Sequence, residues 1–178
     1  MLDEIRTRPS LETARLALRP WRAADAPRLA ELANDLDVTR MTGGMPNPYG
    51  LADAQAFLAR RDTDDFEPEP HFAIEVVGEG LAGGIGFYAL GGLGPEVGYW
   101  LGKPFWGRGY ATEALKRVMR WTREDWRVRC VVAGHFADNP ASGVVLVKAG
   151  FLYTGEVTLS PSRARGEDAP SRRMVWLA

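Results

Sequence analysis

The sequence predicts a mixed α/β chain, and three observations carry the expectation. Stretches whose apolar residues fall on every second position alternate with stretches whose apolar residues fall three or four apart. The 178 residues are 46% hydrophobic and 25% charged, the balance of a soluble globular protein and not of a disordered or fibrous one. GYWLGKPFWGRGYATEA (Gly98–Ala114) runs from a strand pattern through a glycine-rich turn directly into a helical pattern. A length of 178 residues suits a single domain over residues 1–178, large enough to bury one core without disulfide staples.

Taken in order, Arg15 to Trp21 (RLALRPW) sets Leu16 and Leu18 among basic residues, the period of a half-buried strand. From Ala23 to Asn34 the apolar positions Ala26, Leu29, Ala30, Leu32 and Ala33 follow helical spacing, with Asp25 placed to cap. Thr42 to Gly50 is a loop by its Gly, Pro and Asn content, and a second helix follows over Leu51 to Arg61, with Ala54, Phe57 and Leu58 on one face. HFAIEVVGEG from His71 and LAGGIGFYAL from Leu81 form a hairpin, and EVGYWLG from Glu96 is a further strand. The longest helical pattern, Tyr110 to about Asp125, turns Ala111, Ala114, Leu115, Val118 and Met119 inward. Val128 to Ala133 is a strand, and Asn139 to Lys148 a helix closed by Gly150. Phe151 to Leu159 and Arg172 to Leu177 make a last pair of strands joined by the polar loop SPSRARGEDAP. With no internal repeat or linker, this order gives a mixed sheet with helical crossovers.

Lys plus Arg number 22 and Asp plus Glu 23, for a net charge of -1. A protein gripping nucleic acid through many phosphates is far more basic, so no nucleic-acid partner is expected. No stretch approaches the ~20 apolar residues of a membrane-spanning helix, so no membrane partner is expected either. The opening MLDEIRTRPS has acids and no apolar core, unlike a signal peptide, which makes a cytoplasmic location the expectation. The one cysteine, Cys130 in the apolar VRCVVAG, is expected in the core and excludes an intrachain disulfide or a Cys-cluster metal site. His71 and His135 lack ligand spacing, so no metal is expected. Charge is nevertheless uneven. From Lys103 to Arg129 there are eight basic residues, Lys103, Arg108, Lys116, Arg117, Arg120, Arg123, Arg127 and Arg129, against three acidic ones, Glu113, Glu124 and Asp125. Asp62, Asp64, Asp65, Glu67 and Glu69 form an opposite run, either a solvated loop or an attractor of cations.

The glycine-rich turn lies inside the basic stretch. Gly107 and Gly109 remove side chains where the backbone turns or meets a ligand, and the amides of Arg108, Gly109, Tyr110, Ala111 and Thr112 fall at the free end of the following helix. Unpaired N–H groups at the positive end of the dipole, with Arg108 beside them, suit a diphosphate. The same glycines would also serve a plain strand-to-helix turn. No Walker lysine motif and no GxGxxG fingerprint is present.

Together with ETARLALRPWRAADA (Glu12–Ala26), ADNPASGVVLVKAGF (Ala137–Phe151) and the closing hairpin, EVGYWLGKPFWGRGYATEAL resembles the GNAT superfamily of acyl-CoA-dependent N-acyltransferases. More narrowly it is similar to the branch containing the ribosomal-protein-alanine and -serine N-acetyltransferases. The resemblance implies the GNAT fold, a mixed and mostly antiparallel sheet of about seven strands splayed between the fourth and fifth and flanked by about four helices. It implies transfer of an acetyl group from acetyl-CoA directly to a primary amine, a small molecule or a protein N-terminus. A longer acyl donor, or a non-catalytic acyl-CoA-binding or regulatory module, is the alternative. Whether the chain is a monomer or a homodimer stays open.

The family's loop pattern falls on Trp106, Gly109 and Ala111; Trp106 departs from its usual Arg or Gln but agrees with this branch. The resemblance assigns the CoA diphosphate to the backbone of Trp106, Gly107, Arg108, Gly109, Tyr110, Ala111 and Thr112, with Arg108 ahead of Lys103, Lys116 and Arg117 for further phosphate charge. It places the pantetheine arm beside Trp100, Leu101 and Gly102, with the Leu101 N–H for the thioester oxyanion, Asn139 bonding the arm and Phe151 packed behind it. Asn139 also reads as a helix cap before Pro140. Many relatives carry a tyrosine acid where this chain has Leu146; the branch uses a serine, here Ser142. Glu96 is the first candidate for general base, then Glu75, then His135.

Overall fold

The computed structural model describes residues 9–63, 69–88, 92 and 94–178, apart from the side chains of 62 and 63. Along the chain run β1 (Leu11–Glu12), β2 (Leu16–Arg19), α1 (Ala26–Ala33), α2 (Leu36–Thr39), α3 (Leu51–Thr63), β3 (His71–Val76), β4 (Gly80–Tyr88) and β5 (Glu96–Leu101). They continue through α4 (Tyr110–Glu124), β6 (Cys130–Phe136), α5 (Pro140–Lys148), β7 (Leu152–Ser162) and β8 (Glu167–Leu177). All the strands join one sheet in the order β1-β2-β3-β4-β5-β6-β8-β7. Every neighbouring pair is antiparallel except β5 and β6, which are parallel because α4 crosses between them.

Alternation sorts the strands into two buried faces. Leu16, Leu18, Phe72, Ile74, Ile85, Phe87 and Val97 point one way and meet Leu115, Val118, Met119 and Trp121 of the strongly amphipathic α4 in one buried cluster. Edge contacts of Phe72 with Trp121 and of Phe87 with Trp126, just beyond the end of α4, tie the helix and the turn after it to the sheet. On the opposite face α1 lies on β4, with α3 packed against α1, and Leu29, Leu32, Ala54 and Leu58 are buried there.

Four differences from the sequence reading have physical causes. An eighth strand, β1, is only two residues long and pairs Leu11 with Leu18. A fifth helix, α2, is a single turn capped by Asp35, whose side chain accepts the Asp37 N–H. β6 begins at Cys130 because the chain first folds back on α4, with the Trp126 N–H on Trp121 O and the Val128 N–H on Thr122 O. The supposed loop after Leu159 is mostly strand: Ser160 pairs with Ala169, Pro161 with Asp168 and Ser162 with Glu167. Pro161 is tolerated because β7 is the outer strand of the sheet. The hairpin tip then bonds to the loop after α2, Arg163 N–H to Gly43 O at 3.1 Å and Ser162 Oγ to Thr42 O at 3.3 Å.

Candidate active site

β5 is fully laddered on one edge and open on the other. Toward β4 its register runs from Tyr88↔Glu96 to Gly83↔Leu101. Toward β6 it makes one bridge, Glu96↔Val132, and then the two strands part. The Gly102 N–H donates to Ala82 O across the β4 edge at 2.8 Å, whereas Pro95 O accepts the Val132 N–H of β6 at 3.0 Å. Peptide groups alternate in direction along a strand, so Val97, Tyr99 and Leu101 turn theirs toward the β6 side. Past the bridge, the Tyr99 and Leu101 amides therefore face the splay. The indole N–H of Trp106 donates to Leu101 O at 2.7 Å, which holds the loop after β5 against that edge.

One wall of the opening is the start of α4. Gly107 (φ 72°) and Gly109 (φ 80°) both lie in the left-handed region. The N-cap residue Gly109 has no side chain to cap the helix, whose first bond joins the Glu113 N–H to Gly109 O, leaving the amides of Tyr110, Ala111 and Thr112 without helical acceptors. The buried Tyr110 ring lies between two guanidiniums, Arg15 at 4.7 Å and Arg108 at 4.8 Å from its centroid. Arg15 also donates to Arg108 O and to Glu113. Arg108 forks onto both oxygens of Glu79, on the turn between β3 and β4, and holds that carboxyl below the usual range. Its charge is thus engaged. Lys103 is likewise held by Asp37 at 2.6 Å, and Arg117 donates to Glu12 O, while Lys116 is exposed.

The facing wall is α5. Asn139 caps it, its Oδ1 accepting the Ser142 N–H at 3.2 Å. Ser142 Oγ meets the Tyr99 hydroxyl at 2.9 Å, so a β5 side chain crosses to the helix. Leu146, one turn on, and Phe151 are each 1% exposed and belong to the core.

Residues 15–152 match the family described as acetyltransferase (GNAT) domain. The chain belongs to the GNAT acetyltransferase family. It is 30% identical over 166 residues to the uncharacterized N-acetyltransferase YoaA of Bacillus subtilis strain 168, covering 83% of this chain and 85% of YoaA. A GNAT-family acetyltransferase of Bacillus anthracis superposes with a TM-score of 0.82 at 19% identity, over 95% of this chain and 98% of its own. RimJ of Mycobacterium smegmatis, solved in complex with CoA-disulfide, superposes with a TM-score of 0.80 at 18% identity, over 96% and 88%. As a GNAT acetyltransferase the protein is an acyltransferase with the GNAT fold, and the splay between the expected fourth and fifth strands is the one between β5 and β6.

Glu96, the foremost candidate base, sits at the closed end of that GNAT splay. Arg173 of β8 donates to both its oxygens, at 3.0 and 2.7 Å, with both side chains largely buried. Glu75 is bonded by Arg19, which also forks onto the buried Asp25. Desolvation pushes the Asp25 pKa up, but Arg19 and the Arg22 N–H outweigh it and hold it below the usual value. His135 is buried, with Nδ1 2.9 Å from Phe136 O and Nε2 3.0 Å from Tyr153 Oη. A carbonyl accepts only, so Nδ1 carries a proton toward Phe136 O, and Nε2 is paired with the phenol. That ring is spent on structure beside Gly143, whose Cβ would come within 2.8 Å of Nε2. Trp100 and Trp21 lie over Gly84, where a Cβ would come within 3.1 Å of Trp100 Nε1 and 2.7 Å of the Trp21 ring.

Cys130 corrects the sequence reading: it is half-buried at the start of β6 and not in the core, because β6 opens at the sheet's end opposite Leu177. Of the acidic run, only the Glu69 side chain falls among the described residues. Among those residues no cluster of three His, Cys, Asp or Glu is arranged to hold a metal, and no helix is long and apolar enough to cross a membrane. Sequence reasoning missed Tyr99 and Arg173. The alternation of EVGYWL sends Tyr99 to the same face as Val97 and Leu101, and that is the one signal that marked it.

Proposed function

We propose that this acetyltransferase carries acetyl from acetyl-CoA to a primary amine, a small molecule or a protein N-terminus, by direct attack in a ternary complex. The whole chain serves as one catalytic domain. One observation carries the reading: the open edge of β5 leads, through a loop that Trp106 holds against Leu101 O, into the start of α4. Together they offer a slot of unpaired backbone donors for an extended arm ending in a diphosphate. A Cβ at Gly107 would meet nothing within 4 Å, so the outer side of the loop is open to a ligand. The residues present fit the group. The kinship with GNAT acetyltransferases, one of them bound to a CoA disulfide, supports the same choice.

When bound, acetyl-CoA supplies an activated acyl carbon and a thiol leaving group. The amides from Arg108 to Thr112 hold its diphosphate, with the Trp106 and Gly107 backbone completing the loop. Trp100, Leu101 and Gly102 line the arm, Asn139 bonds it and Phe151 backs it. The Leu101 N–H, aimed into the splay, donates to the carbonyl oxygen and binds it more strongly as negative charge develops. Glu96 takes the proton that the acceptor ammonium must lose, through a water where direct reach is lacking. Its fork with Arg173 sets the direction of the carboxylate. Ser142 supplies a proton to the departing sulfur. Calorimetric titration with acetyl-CoA tests the reading, with one-to-one binding expected; absence of binding ends it. A thiol-release screen over polyamines, amino sugars, amino acids and N-terminal peptides then identifies the acceptor.

A further inference from the structure

We infer that Tyr99 is the positioning residue for Ser142, the partner that turns the serine proton into the splay toward the leaving sulfur. The inference rests on the proposed role of Ser142 and adds a residue from the opposite wall. Tyr99 stands two positions before Leu101 on the open edge, and its ring spans the gap from β5 to α5. There its hydroxyl lies 3.1 Å from Ser142 O and 2.9 Å from Ser142 Oγ. A serine in a helix commonly points to solvent or bonds back to a carbonyl one turn earlier. Here the hydroxyl meets a phenol contributed from 43 residues away.

Two acceptors within reach of one phenol give the pair two settings. In the first, Tyr99 donates to Ser142 O and accepts the serine proton, so the serine proton is parked. In the second, Tyr99 donates to Ser142 Oγ, and the serine O–H is free to point into the splay. Only hydrogen atoms rotate between the two, and no heavy atom moves. Negative charge growing on sulfur favours the second setting. As the carbon–sulfur bond breaks, its electron pair stays on sulfur. Ser142 Oγ gives its proton to that sulfur, Tyr99 stabilises the serine oxygen meanwhile, and solvent water restores the serine proton. Burial pushes the Tyr99 phenol above the ordinary tyrosine value, so it keeps its own proton throughout. Leu146, the next residue on that face of α5, offers no hydroxyl of its own.

Steady-state thiol release from acetyl-CoA, with the amine that the acceptor screen identifies as cosubstrate, by the full chain, Tyr99→Phe, Ser142→Ala and the double variant tests this. The Tyr99→Phe change removes one oxygen and keeps the half-buried ring. Its kcat is expected to fall about 10- to 30-fold, with the KM for acetyl-CoA within about 2-fold and the melting temperature within a few degrees. The Ser142→Ala change is expected to cost about 100-fold, and the double variant to be no slower than Ser142→Ala alone, because the two hydroxyls act as a unit. A Tyr99→Phe enzyme with parental kcat overturns the inference while Ser142→Ala stays slow. A double variant that multiplies the two losses also overturns it, since Tyr99 then acts independently of Ser142. If Ser142→Ala itself keeps parental kcat, the role of Ser142 falls first and that of Tyr99 with it.

Discussion

The two edges of β5 contrast within six residues. Toward β4, the strand rests on glycines whose missing side chains leave room for others: Trp100 O over Gly83, the Trp21 and Trp100 rings over Gly84, and the His71 ring over Gly86. Toward β6, one bridge at Glu96 is followed by the unladdered N–H groups of Tyr99 and Leu101 and by the Tyr99 side chain. Alternation makes this division sharp, because neighbouring residues of one strand serve opposite edges. Substitutions on the closed edge should therefore show first in stability, and those on the open edge first in turnover.

The largest effect is expected from Gly83→Ala. A Cβ there would lie 2.1 Å from Trp100 O and 2.9 Å from Leu101 Cα, backbone atoms that cannot swing aside. Urea unfolding should show a loss of about 3 kcal/mol at unchanged slope. By comparison, Gly107→Ala meets nothing within 4 Å and bears only the strain of a positive φ (72°), roughly 1 kcal/mol. If the two cost the same, the closed edge is not as tight as described.

Next comes Glu96→Gln, at the point where the edges part. The change keeps the shape of the side chain and removes its charge. Turnover is expected to drop about 100-fold, while acetyl-CoA affinity stays within about 2-fold. Unchanged turnover eliminates Glu96 as the base and leaves Arg173–Glu96 a purely structural pair.

His71 on the closed edge gives a smaller, pH-dependent effect. Burial, and then the charge of Arg61, lower its pKa from 6.5 to about 3. The unfolded chain thus binds a proton below pH 6.5 that the folded protein refuses, so stability must fall as pH drops through that window. The slope approaches about 1.4 kcal/mol per pH unit for one such group. Unfolding measured between pH 7 and pH 5 should show it, and His71→Gln should flatten it with kcat at pH 7 preserved. A parent protein whose stability is level across that range would contradict the buried neutral ring.

How much of this was legible in the sequence follows from the range of each signal. The start of α4 could be read because strand, glycines and helix are contiguous in Gly98–Ala114, and the helices because apolar spacing is local. The Tyr99–Ser142 and Glu96–Arg173 pairs lie 43 and 77 positions apart; the packing of α5 beside β5 brings the first together, and the strand order of the sheet the second. The outer hairpin was underestimated for a related reason. The polar, proline-containing run after Leu159 reads as loop, yet an edge strand tolerates both features. Candidate residues at the splay were therefore nameable from sequence, whereas their partners were not.

The smallest effect concerns the Arg108–Glu79 fork beside the open edge. Sequence reasoning made Arg108 the first side chain to meet a phosphate, but the guanidinium lies on Glu79, with the two side chains 43% and 41% exposed. Exposed pairs contribute little to folding, and the amides of the α4 start can hold a diphosphate without them. Glu79 nevertheless puts a negative charge beside the proposed diphosphate slot and occupies the Arg108 guanidinium. Removing that charge with Glu79→Gln frees Arg108, so acetyl-CoA affinity should rise about 2- to 3-fold at low salt. The gain should fade toward 1 M salt, where the screening length falls to about 3 Å. Titrations of both proteins at two salt concentrations decide the point. A loss of affinity in Glu79→Gln would mean that the glutamate holds Arg108 in its working position, and the fork would then belong to the open edge's binding machinery.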